Sequence, residues 1–239
     1  MKSRLKKVLP TLVSIAVGFV PVLVLTCYFG VPRKLIIGWG VLSYVVGVTA
    51  FKMPIYHFFV VKVLHRRMSH AWLSASQGVV SAISELGAAL LFFVFVVPDM
   101  TLAQVIGFGA AAGAVEAVML PFIRNPLTGT PLGEHAGEVI ERASENSLIE
   151  WMSVLERVLA MFPHVASRGL VYISFATGNI GPALIAVSGF ALIDGRAYFA
   201  HLEKWKFDDI RVLGTLYRFI ALVGISQTFL FVLLYHALL

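Results

Sequence analysis

The sequence predicts an all-α fold, a polytopic transmembrane bundle of about seven spans with its N-terminus inside and its C-terminus outside. Three observations carry this. Of 239 residues, 59% are apolar and 13% charged, where soluble domains run near half apolar and about a quarter charged; the mean hydropathy is +0.86. The apolar residues gather into runs of about 20 or more, the length that crosses a hydrocarbon core at 1.5 Å rise per residue. Lysine and arginine fall mainly at the ends of those runs, as orienting charges do.

The first run, 8–30, follows Lys2, Arg4, Lys6 and Lys7. It is too long for the apolar core of a signal peptide and lacks a small-residue cleavage site, so it is expected to stay as a span. The second, 35–61, is interrupted by Lys52 and Pro54, which predicts a kink, or an early end continued as an interfacial segment. Runs 72–97 and 101–123 follow. The segment 124–148 opens with the turn-forming RNPLTGTPLG and continues with Glu134, Glu138, Glu141 and Glu145 around Arg142. The i,i+4 spacing of Glu138 and Arg142 predicts a short cytoplasmic surface helix there. Runs 149–177, 182–200 and 212–238 complete the bundle. With no internal repeat and no second domain, residues 1–239 are expected to form one membrane domain. With the N-terminus inside, 13 Lys and Arg lie on the cytoplasmic side and 2, Arg33 and Lys34, outside, while Lys52, Arg157, Arg168 and Arg218 lie within spans. That bias selects N-in, C-out in the cell membrane.

The formal net charge of +6 sits at run ends rather than on an amphipathic face, so it orients the chain and does not point to nucleic acid. The single cysteine, Cys27, rules out an intramolecular disulfide and a thiolate metal cluster; any metal would have to use His and carboxylates. There is no HExxH, GxSxG or P-loop pattern. Gly107, Gly109 and Ala112 match a GxGxxA string but lack the strand–helix setting of a dinucleotide site. Gly109 and Gly113 form GxxxG, a helix-packing signal.

Four acids, Glu85, Glu116, Glu156 and Asp194, lie within or at the ends of the apolar runs. A carboxylate in hydrocarbon is costly, so it faces a bundle interior, a water-filled cavity, a metal or a proton path. Glu116, Glu156 and Asp194 lie about six or seven residues from the cytoplasmic ends of their spans, roughly 10 Å deep, and Glu85 and His164 near the midplane. Polar groups from four helices are thus expected around one cavity open to the cytoplasm. Each also has a plainer explanation. Glu156 and Arg157 can form an orienting ion pair near the interface. His164 follows Pro163 and can bond a carbonyl freed by the kink. Glu85 and Asp194 are hardest to explain this way, having no obvious local cation.

The motif order resembles a known family. The segments WGVLSYVVGVTAFKMPIYH (39–57), GVVSAISELGAAL (78–90), GFGAAAGAVEAV (107–118), ERVLAMFPH (156–164) and FALIDG (190–195) resemble the YhfC family, classed with intramembrane metalloproteases and related to CPBP-type and PrsW-like membrane proteases. The best match is ERxxAxxxH, at Glu156, Arg157, Ala160 and His164. The resemblance implies a protease-like bundle in which histidines and acids of several spans hold zinc. The chain departs from that pattern at Ser84 and Ala88, which flank Glu85 where a second Glu and an Arg are expected, and at Ala112 and Phe190, where histidines are expected.

A catalytic zinc needs three protein ligands, a water and a base for that water. Of the implied imidazoles only His164 remains. If the chain is active, the resemblance and the surviving acids give Glu85, Glu116, Glu156, His164 and Asp194 as the catalytic set. Within it, His164, Glu85 and Glu116 would bind the metal, and Glu156 or Asp194 would act as base; His201 is a weaker candidate to reach inward. The expectation is instead a degenerate site with no cofactor, in a non-catalytic subunit or binding protein of a membrane complex. Its partners would be the lipid bilayer and a membrane protein or transmembrane peptide. The alternatives are a zinc-dependent intramembrane endopeptidase and a proton- or ion-linked transporter, the lack of a repeat speaking against the last.

Overall fold

The computed structural model describes residues 2–27, 35–64, 68–119 and 147–239. Among them are seven helical segments and no strand: α1 (Lys2–Cys27), α2 (Leu35–Leu64), α3 (His70–Phe95), α4 (Leu102–Met119), α5 (Ser147–Thr177), α6 (Gly181–Leu202) and α7 (Ile210–Leu238). The expected surface helix around Glu138 and Arg142 lies outside the described residues. Helices α2 to α7 contain stretches long and apolar enough to cross a membrane, whereas the apolar part of α1 is the shorter Leu12–Val24. The chain is an integral, multi-pass membrane protein.

Its surface is inverted relative to a soluble domain. Trp72, Phe95, Leu222 and Phe229 are largely exposed, while Glu85, Arg157, His164, Arg168 and Gln227 are buried. Lipid is as apolar as leucine, so apolar side chains gain little by turning inward and polar ones must.

Helix α5 is central, packing against α1, α3, α4, α6 and α7, and α3 pairs closely with α6. Small residues set these approaches. A Cβ at Gly78 would lie 2.1 Å from the Ala191 carbonyl oxygen, so only glycine admits α6 this close to α3. The GxxxG pair of α4 does the same against α5: added Cβ atoms would meet Val165 Cα at 2.6 Å from Gly109 and Met161 Sδ at 2.9 Å from Gly113. The turn after α5 is made by Gly178 at φ +70°, the left-handed conformation that ends many helices. Asn179 Oδ1 then accepts from the Gly181 N–H at 2.9 Å, and Asp209 caps α7 at the Arg211 N–H at 2.8 Å.

Lys52 and Pro54 do not end the second span. The helix continues to Leu64, widened into π-helical turns over Gly47–Lys52 and Tyr56–Leu64. Proline offers no N–H and its ring crowds the preceding turn, so a wider i→i+5 turn accommodates what would otherwise be a break. In a regular helix Lys52 would point about 80° away from Tyr44; the wide turns bring both to the bundle interior.

Candidate functional site

The Tyr44 and Lys52 side chains of α2 meet groups from five other helices in one hydrogen-bonded network. On α5, Arg157, His164 and Arg168 are spaced by seven and four residues and so form a single stripe. On α3, Ser81 and Glu85 lie one turn apart. Glu116 ends the inner face of α4, Asp194 comes from α6 and Tyr217 from α7.

The network begins at Asp194, which accepts from the Ser81 hydroxyl and from Lys52 Nζ, the latter at 3.3 Å. Lys52 also pairs with Glu85 Oε1 at 2.9 Å. The other oxygen of Glu85 accepts from Arg168 Nη2 at 3.2 Å. Arg168 Nη1 donates to His164 Nδ1 at 2.9 Å, and His164 Nε2 lies 2.8 Å from Glu116 Oε2. Glu116 accepts further from Arg157 Nη1 at 2.8 Å and from the Tyr44 hydroxyl at 3.4 Å. Arg157 Nη2 binds Glu156, whose second oxygen accepts from Tyr217 at 3.2 Å.

The donors fix the state of the imidazole. A guanidinium can only donate, so Nδ1 of His164 is the acceptor and the ring hydrogen on Nε2 points at Glu116. The centre of the network is dry: Arg168 is 0% and Glu85 1% exposed. Its ends are more open, with the Asp194 and Glu156 side chains 29% and 36% exposed. Bonds between charged groups in such a site are strong, and an unpaired member is costly.

Glu85, Glu116, Glu156, His164 and Asp194 are therefore brought together, with several differences from the sequence expectation. They are bonded to one another through Lys52, Arg157 and Arg168. Glu85 and Asp194 do have a cation, Lys52, which they share. Arg157 does not reach out to the interface but turns inward to Glu116 and is 8% exposed. His164 engages Glu116 and Arg168 rather than a carbonyl freed by Pro163; the Pro163 carbonyl itself is taken by the Ser167 hydroxyl. His201 packs its ring on Phe207, with centroids 4.8 Å apart.

Three of the four cations within spans thus prove to be the acids' partners. Spacing along the chain did not signal these pairings, since Lys52 and Asp194 are 142 positions apart.

The metal set His164, Glu85 and Glu116 does not fit zinc in this arrangement. Both ring nitrogens of His164 are engaged, and Glu85 lies between two cations that would repel a divalent ion. Among the described residues no group of three His, Cys, Asp or Glu could hold a metal ion.

The positions where the resemblance expects other residues lie in the same neighbourhood. The Phe190 ring stands edge-on to His164, with centroids 5.6 Å apart. Ala112 is buried beside Tyr44 and Val48. The Ser84 hydroxyl is buried without a hydrogen-bond partner.

Fold and site together define a multi-pass helical membrane protein with a salt-bridged polar core. No family model, curated protein or solved structure matches the chain.

Proposed function

We propose that this chain has an intramembrane-protease-like architecture whose metal site has been replaced by a salt-bridged core. In this reading it acts as a non-catalytic subunit or binding protein of a membrane complex. The observation that carries the reading is the contact of Phe190 with His164. The position where the YhfC resemblance expects a second imidazole lies against the one that remains, and it holds a hydrocarbon ring instead. The guanidinium of Arg168 on Nδ1 supports it further, filling the place of a ligand with a cation.

The substitutions Glu156→Gln, His164→Ala and Asp194→Asn test this. Each weakens the bonding of a buried member of the network, so the expected outcome is lower thermal stability or expression, with no cleavage activity to lose. Full stability combined with loss of cleavage of a co-expressed membrane peptide would overturn the reading in favour of the endopeptidase. So would stoichiometric zinc that disappears in His164→Ala.

A second reading, a proton- or ion-linked transporter, is favoured by one feature. The bonded chain of ionisable groups runs from Asp194 to Glu156 and is more open at both ends than at its centre. Proton flux in vesicles that Glu85→Gln abolishes would support it.

A further inference from the structure

Of the four cations within spans, Arg218 is the one that no acid of the polar core takes. It stands about 12 Å along α7 from the helix start at Ile210, at 1.5 Å rise per residue. It is nevertheless exposed, while Leu213, Leu216, Tyr217 and Ile220 form the inner face of the helix. No described residue is bonded to it. A guanidinium that faces lipid has to extend to the membrane–water boundary for a partner. Helical side chains lean toward the N-terminus of their helix, so Arg218 reaches back over Thr215 toward the α6–α7 connection.

A pocket of about 390 Å³ lies there, lined by Glu203, Lys204, Trp205 and Lys206 of the connection and by Val212 and Thr215 of α7. The Thr215 hydroxyl already donates to the Arg211 carbonyl at 3.0 Å. Glu203, the one acid in the lining, is engaged by His70 Nδ1 at 2.9 Å. The groups offered to a ligand are therefore the exposed ammonium groups of Lys204 and Lys206, beside an indole ring that carries the Arg196 guanidinium 4.7 Å from its centroid. Lys204 is itself unusually placed. Its N–H donates to the His201 carbonyl at 3.1 Å and that of Trp205 to the Ala200 carbonyl at 2.9 Å, the two bonds that close a helix over a left-handed residue. Lys204 is that residue, at φ +51°. Glycine would adopt the conformation without strain, so the lysine contributes its side chain and not its backbone.

We propose that this pocket holds the headgroup of an anionic phospholipid from the surrounding bilayer, its phosphate met by Arg218 from the membrane side and by Lys204 and Lys206 from the aqueous side. Charge complementarity carries the argument. Between positions 196 and 218 stand five cations and three acids, and two of those acids are engaged, Glu203 by His70 and Asp209 by the α7 cap. An orienting charge bias accounts for lysines in a connection, but not for an arginine within the span that faces outward beside them. The planar fork of Arg218 suits two phosphate oxygens at once. An acidic helix of another membrane protein would meet Arg218 and leave both lysines unused. The proposal holds whether or not the polar core is catalytic.

Native mass spectrometry of the detergent-purified chain, titrated with dioleoylphosphatidylglycerol or with dioleoylphosphatidylcholine, reads the site directly, because both lipids carry a phosphate and only the first carries net charge. The expected result is one phosphatidylglycerol retained per chain, at least about fivefold more tightly than phosphatidylcholine. Arg218→Gln should weaken that retention about fivefold, the worth of one cation at an anionic surface. Lys204→Gly should weaken it by a similar factor while the thermal stability of the lipid-free protein holds or rises. Lys62→Gln, which removes an exposed cation at the same end of the bundle on α2, should change neither. Equal retention of the two lipids, or an equal loss in Lys62→Gln, would mean that cations at this end attract headgroups without a site, and would overturn the proposal. Retention unchanged in Arg218→Gln and Lys204→Gly would overturn it as well, and release of a co-purifying membrane protein by Arg218→Gln would then make an acidic helix the occupant. If Arg218→Gln fails to fold, Lys204→Gly decides alone.

Discussion

The two ends of α5 are built from opposite chemistry on the same helix. At the Tyr172 end, Phe93, Phe108 and Tyr172 stack with centroids 4.9 and 5.5 Å apart, and Ile36, Leu86 and Leu170 close around them. The Tyr172 hydroxyl ties down the α3–α4 connection by accepting from the Met100 N–H at 2.8 Å and donating to its carbonyl at 3.1 Å. At the Arg157 end the same helix presents two guanidinium groups and an imidazole to three carboxyl groups, those of Glu85, Glu116 and Glu156. Packing at the first end is non-directional and tolerates similar shapes. Pairing at the second is directional, and a missing partner leaves a charge in a medium that cannot solvate it. The apolar end thus holds the helices together, and the polar end specifies which side chains must meet.

The largest expected effect comes from breaking the polar end at its most buried point. Arg168→Met removes one of Glu85's two partners and the donor to His164, and should cost about 3–5 kcal/mol, measured as thermal unfolding in detergent. Adding Glu85→Gln should recover a large part of that loss. An Arg168→Met variant as stable as the parent would erase the distinction between the ends.

A conservative change sharpens the comparison. Arg168→Lys keeps the charge but loses the fork that reaches Glu85 and His164 together, so it should still cost about 1.5–3 kcal/mol. At the other end, Phe93→Leu keeps an apolar shape and should cost less than about 1.5 kcal/mol. Tyr172→Phe, which removes the hydroxyl alone, should cost about 0.5–1.5 kcal/mol. If Phe93→Leu proved more damaging than Arg168→Lys, the aromatic end would be the more exacting of the two.

Topology gives the last test and moves no stability at all. If Lys and Arg orient the chain by the positive-inside rule, the polar end faces the cytoplasm, a C-terminal reporter should lie outside and an N-terminal one inside. An N-terminus outside with the C-terminus unchanged would mean that α1, with its short apolar part Leu12–Val24, does not cross.

The spans were legible because hydrocarbon imposes a length and a composition on each segment independently of the others. The expected run 35–61 became Leu35–Leu64 and 182–200 became Gly181–Leu202, shifts of one to three residues at helix ends. The acids were legible for the same reason, since charge in an apolar run stands out. Their partners were not. Lys52 looked like a break beside Pro54, and only the wide turns of α2 turn it toward Glu85 and Asp194. Arg157 and Arg168 looked like charges to be counted, because nothing local tells an inward arginine from one that reaches the interface.

By itself, then, the sequence determined an all-helical membrane bundle, the runs that form it, and a GxxxG packing surface on α4. Each is a property of one segment and its solvent. The tertiary structure alone decided that four acids, three cations and one histidine form a single bonded chain, and that Phe190 lies on His164. Those facts depend on the rotation of each helix about its own axis. That rotation is set by close contacts such as Gly78 on Ala191 and Gly113 on Met161, made between residues far apart in the chain.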